Sequence, residues 1–90
     1  MSNIGDFLIY NPDTGDFFWK VRSGRMVAGS LAGKTTRRGY RMLLVRGKHY
    51  QAHRAAWFLH YGEWPDGQID HINRDPGDNR ICNLRVVTGS

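Results

Sequence analysis

The segment His53–Tyr61, HRAAWFLHY, sets the limits of what this chain can fold into. Ala56 with Leu59, and Ala55 with Phe58, fall at helical spacing, and Gly62 and Pro65 stop the run. Apart from a short helix expected over residues 78–84, the other apolar residues come in strand-length runs separated by turn formers. The chain is therefore expected to be a small α+β domain with β-hairpins at its N-terminal end.

Phe7–Tyr10 and Asp16–Val21 read as two strands joined by Asn11-Pro12-Asp13-Thr14-Gly15. Pro presets one turn dihedral, Asp bonds the turn backbone and Gly supplies the left-handed position. Residues 22–39 hold Gly24, Gly29, Gly33 and Gly39 among Ser, Thr and basic residues, with no apolar period. They read as a long loop, or a loop with one short strand. Tyr40–Val45 alternates as a half-buried strand does, and Arg46-Gly47 turns it into a return strand, Lys48–Ala52. Gln68–Ile72 and Arg85–Thr88 are expected as strands around the loop Arg74–Gly77. Residues 1–48 thus form a β-rich, basic region and 49–90 a second region, expected to pack as one compact domain.

Ninety residues, 40% of them apolar and three of them Trp, are enough for one small folded core. The Trp residues 19, 57 and 64 are expected in that core. No apolar run reaches membrane-spanning length, and MSNIGDFLIY has no charged leader pattern, so a cytoplasmic protein is expected, bacterial or in a phage-infected host. The single cysteine, Cys82, excludes an internal disulfide and a Cys-rich zinc site.

Net charge is +5, and it is unevenly placed. Between Asp16 and Glu63 there is no acidic residue, while Lys20, Arg22, Arg25, Lys34, Arg37, Arg38, Arg41, Arg46, Lys48 and Arg54 supply positive charge. Glu63, Asp66, Asp70, Asp75 and Asp78 follow. A basic platform beside an acidic pocket suits a phosphate backbone presented to a bound cation. The plainer reading is a solvated basic surface.

Within the acidic third, Asp70-His71 ends a short apolar segment, and the carboxamide Asn83 returns twelve residues after the histidine. These supply an oxygen ligand for a hard cation, a base near neutral pKa and an amide to hold the loop. On a strand the pair points to opposite faces, giving one exposed Asp and one core His. At a strand end both can address one pocket.

Two metal alternatives fail on spacing. His49 and His53 on one strand face would stand roughly 13 Å apart, and His53 and His60 about 10 Å apart along a helix. Neither pair can share a zinc, so these histidines are expected in packing or at the surface. A calcium loop counted from Asn73 or Asp70 reaches Leu84 or Ile81 at its twelfth position, where a bidentate Glu is required.

The pieces Tyr50-x-Ala52-His53-Arg54-x-Ala56-Trp57, Gly62-Glu63-Trp64-Pro65, Ile69-Asp70-His71-Ile72-Asn73 and Asp78-Asn79-Arg80-Ile81-x-Asn83-Leu84-Arg85-x-Val87-Thr88 resemble the HNH (His-Me finger) endonucleases of small phage and homing type. The likeness implies a ββα-metal nuclease in which His71 is the general base. Asp70 would hold one divalent cation, Mg²⁺ or Mn²⁺, and Asn83 would tether the loop and help orient the histidine. It implies DNA as partner, double-stranded, with Lys34, Arg37, Arg38 and Arg41 on the backbone and Arg54, Arg74 and Arg80 nearer the cut. For Arg54 and Arg80 the alternative is a salt bridge to Asp75 or Asp78. The family's third motif, on a final helix capped by Thr88, would fall just past Ser90. On this reading the 90-residue form is weakened or inactive, or is completed by a second copy or a second chain. The competing reading is a non-catalytic DNA-binding module on the same scaffold. A more distant one is a protein-interaction domain using exposed Trp.

Overall fold

The computed structural model describes residues 3–22 and 26–87, and Thr88 with its expected capping role lies outside them. The order is β1 (Leu8–Tyr10), β2 (Phe17–Trp19), β3 (Leu31–Ala32), β4 (Lys34–Thr35), β5 (Arg41–Val45), β6 (Lys48–Gln51), α1 (Ala52–Tyr61), β7 (Gln68–His71) and β8 (Leu84–Val87). The fold is α+β. Three antiparallel units form: β1-β2-β3, β4-β5-β6 and the ribbon β7-β8. A single 3₁₀ turn, Ile4–Asp6, precedes β1 and is closed by a capping box between Asn3 and Asp6.

Alternation along the strands decides which side chains reach the core. Phe17 and Trp19 of β2 and Leu43 and Val45 of β5 are buried, while Leu44 between them is 51% exposed. Helix α1 presents Ala52, Ala55 and Ala56, all buried, to β1, β5 and β6. Alanine at these positions brings the helix backbone close to the strands. One core results, joining Ile4, Leu8, Phe17, Trp19 and Ala32 to Leu43, Val45, the three alanines and Leu84. The helix ends where Gly62, in the left-handed conformation, returns its N–H to the Phe58 carbonyl.

Three expectations are corrected. Residues 22–39 carry two short strands, β3 and β4, rather than one, because Leu31–Ala32 completes the first sheet and Lys34–Thr35 begins the second. Residues 78–84 make only the 3₁₀ turn Ile81–Asn83, since Asn79 is drawn into the interior and Asn83 bonds back to the loop before it. Trp64 is 40% exposed rather than core, its ring stacked nearly parallel to those of Phe58 and Tyr50 at 4.6 and 5.9 Å between ring centres. Trp19 is in the core as expected.

Candidate active site

β7 and β8 pair in a register that sets Asp70 opposite Arg85 and His71 opposite Leu84. The backbone then turns sharply: Arg74 N–H reaches the His71 carbonyl at 2.9 Å, with Arg74 itself at φ 65°. His71 is buried and Asp70 is half-exposed, yet both line one cleft of about 570 Å³. The strand-end geometry thus lets an outward carboxylate and an inward imidazole share a space. Arg38, Tyr40, Arg74 and Arg85 complete most of its wall.

The His71 ring is fixed from two sides. Its Nε2 lies 2.9 Å from Oδ1 of Asn79, which is almost wholly buried. A carboxamide oxygen only accepts, so Nε2 carries the proton and donates, leaving the lone pair on Nδ1. Against the ring stands His53, from the first turn of α1, with centroids 5.2 Å apart at 76°, and Tyr40 at 6.3 Å. Burial, together with the charges of His71 and Arg54, pushes the His53 imidazole down to about 4. It is therefore neutral near pH 7 and adds no positive charge beside His71.

Asn83 is buried and bonds to the loop rather than directly to His71. Its Oδ1 accepts from Asn73 N–H at 2.9 Å, and its Nδ2 donates to Asn73 Oδ1 and the Asp78 carbonyl at 3.0 and 2.9 Å. Its backbone carbonyl accepts from Ile72 at 2.8 Å. Asn83 thus ties down both ends of the loop 73–78, but the amide on His71 belongs to Asn79. Asn73, Asp75 and Asp78 use their side-chain oxygens within the same loop, on Asp75 N–H, Gly77 N–H and Arg80 respectively.

Asp70 is paired with Arg85, whose Nε and Nη2 approach the same carboxylate oxygen, Oδ2, at 2.9 and 2.8 Å. Among the described residues no three His, Cys, Asp or Glu side chains group together as a metal cage. Asp70 is the one carboxylate among the residues that line the cleft. That is consistent with a Mg²⁺-like ion, which keeps several waters and takes one or two carboxylates plus substrate phosphate.

The basic residues divide into engaged and open ones. Arg41 is held by Asp16 at 3.2 Å and the Ala32 carbonyl at 3.1 Å, and Arg54 by the Gly67 carbonyl at 3.1 Å. Arg80 grips Asp78, one of the two partners considered for it, at 2.7 Å. That contact holds the Asp78 carboxyl down to about 2 and raises the Arg80 guanidinium further. Lys34, Arg37, Arg38 and Arg74 are exposed and form no ion pair among the described residues. His49 and His60 are exposed.

Residues 50–90 match the family model described as HNH endonuclease. This segment is similar to the HNH endonucleases. Comparison with curated proteins and with solved structures found no match. The HNH-like segment contains α1, β7, β8 and the loop between the strands, so His53, Asp70, His71, Asn79 and Asn83 all fall inside it. Sequence reasoning gave no site role to Asn79, Tyr40 and Arg85, and assigned His53 only to packing or the surface. For Asn79 the signal was there to read: a carboxamide eight residues after His71, within reach of it if the loop folds back. No helix among the described residues is long and apolar enough to cross a membrane.

Proposed function

We propose that the chain is a nuclease module that hydrolyses phosphodiester bonds in double-stranded DNA. The observation that carries this reading is the buried His71 imidazole, held by Asn79 with its Nδ1 lone pair unprotonated, sharing a basic-rimmed cleft with Asp70.

His71 takes the proton of an attacking water through Nδ1, the ring nitrogen that its bond to Asn79 leaves free to accept. Asn79 keeps the ring in the tautomer this needs and accepts the Nε2–H as charge develops. Asp70 would hold a divalent cation, Mg²⁺ or Mn²⁺, which when bound supplies charge stabilisation to a phosphate and its leaving oxygen. Arg38 and Arg74 neutralise flanking phosphates from the cleft wall, and Lys34 and Arg37 extend that contact outward. Arg41, Arg54 and Arg80 hold the protein's own loops instead. Asn83 fixes the loop from which Asn79 and Arg74 project.

The test is cleavage of supercoiled plasmid with Mg²⁺ or Mn²⁺ by the chain and by His71→Ala. Metal-dependent cleavage by the first alone is expected. Equal cleavage by both would overturn the assignment of the base. A second reading, a DNA-binding module without turnover, is favoured by the Arg85 contact on Asp70. It predicts salt-sensitive DNA binding that His71→Ala leaves unchanged, and no metal-dependent product.

A further inference from the structure

Asn79 holds His71, but little in its own side chain holds Asn79. Oδ1 is bonded to the imidazole, and Nδ2 is buried with no hydrogen-bond partner among the described residues. An amide in that position can rotate by half a turn and donate Nδ2–H to Nε2, which would move the ring proton to Nδ1. Whether the amide reaches Nε2 at all, and so holds the ring in one tautomer, depends on where the Asn79 backbone places it.

That backbone is set by the N-terminal hairpin, outside the HNH-like segment. The Tyr10 hydroxyl, at the end of β1, donates to the Asn79 carbonyl. Two residues on, Ile81 N–H donates to the Pro12 carbonyl in the hairpin turn at 3.0 Å. At the far side of that turn, Gly15 lies directly against the Asn79–Arg80 peptide. A Cβ on Gly15 would stand 2.6 Å from the Arg80 nitrogen and 2.6 Å from the Asn79 carbonyl carbon. The Tyr10 ring is itself packed on Phe17 of the core, with centroids 5.0 Å apart. Burial raises its phenol well above the usual value, so the hydroxyl stays a donor at any working pH.

We infer that the β1–β2 hairpin is a working part of the site, with Tyr10 and Gly15 as positioning residues that aim Asn79 at His71 and so keep Nδ1 as the basic nitrogen. The proposed nuclease reading gives this its catalytic meaning, but the placement itself can be tested without it.

The experiment is nitrogen NMR of the His71 imidazole in the full chain at mildly alkaline pH. The parent is compared with Tyr10→Phe, Gly15→Ala and Gly47→Ala. Tyr10→Phe deletes only the donor. Gly15→Ala adds a methyl against the peptide. Gly47→Ala has the same backbone demand, φ 81° against 79°, but nothing within 4 Å of the new carbon. The expected result is Nε2–H in the parent and in Gly47→Ala, with loss of that form in the two hairpin variants. Cleavage should fall in kcat by roughly ten- to a hundredfold in those two, with KM little changed. If Gly15→Ala does not fold, Tyr10→Phe decides. An unchanged His71 tautomer in a folded Tyr10→Phe overturns the inference, as does an equal change in Gly47→Ala. A tautomer change in a chain whose parent cleaves no DNA leaves the inference standing and sinks the nuclease reading. Cleavage by a parent whose hairpin variants keep tautomer and kcat does the reverse.

Discussion

Arg85 and Asp70 face each other across the β7–β8 ladder, and both nitrogens of the guanidinium that reach the carboxylate fall on the same oxygen, Oδ2. The side chains are 61% and 41% exposed, so the pair adds little to stability, at most about 1 kcal/mol. Its importance is to the cation. Arg85→Ala should lower the Mn²⁺ concentration needed for half-maximal cleavage several-fold while leaving the thermal midpoint nearly unchanged. A metal titration of activity, run beside a melt, checks this. An unchanged half-saturation point would show that the guanidinium does not compete for Asp70.

Folding should weaken in mild acid through His53. The free imidazole titrates near 6.5 and the folded one at about 4, so between these values the unfolded chain binds the extra proton. Stability from this group is complete above pH 6.5 and declines as pH falls toward 4. The loss by pH 4 should be about 2 kcal/mol, somewhat below the full shift because the cleft at neighbouring Tyr40 and His71 admits solvent. Urea unfolding from pH 7 to pH 4 measures it, and His53→Phe should flatten that part of the profile.

Asn83→Ala should cost about 2–3 kcal/mol, because Asn73 and the Asp78 carbonyl lose three side-chain bonds around a buried position. Asn83→Asp keeps the acceptor but sets a carboxylate oxygen against the Asn73 Oδ1 and Asp78 carbonyl oxygens at a buried position, so it should cost at least as much. Equilibrium denaturation ranks the three proteins. If Asn83→Ala matched the parent, the loop would be held by other groups.

Arg38→Ala and Arg74→Ala should each weaken DNA binding regardless of sequence and reduce the salt slope by about one. Arg41→Ala should instead lower stability, since its guanidinium joins Asp16 of the hairpin to the Ala32 carbonyl. Fluorescence anisotropy at several salt concentrations separates the two kinds of arginine. An Arg41 variant that behaved like Arg38 would reverse the division.

The elements were legible in the sequence where a local pattern carries them. Gly62 and Pro65 bound the helix, the Asn11–Gly15 turn marks the first hairpin, and alternation marks β5. Asp70 and His71 stood out because a strand end is visible in the pattern. What stayed hidden depends on distant partners. Whether Arg41 faces DNA or Asp16 is decided by an acid 25 positions away. Likewise, Asn79 and Asn83 are chemically identical in one short stretch. Only the fold of the loop sends one amide to the histidine and the other to Asn73. The outer face of β5, with Leu44 exposed, and the exposed Trp64 show the same limit, since an apolar residue does not announce which side of a small sheet it will occupy.

The single core has a consequence for shuffling and engineering. Leu84, from the ribbon that carries Asp70 and His71, packs in one cluster with Ile4, Leu8, Phe17 and Trp19. Cutting at residue 49, where the HNH-like segment would be excised most naturally, divides that cluster and strips the apolar faces of α1 and β8. A graft into another protein, or a recombination event between genes, must therefore carry the hairpins along with the histidine.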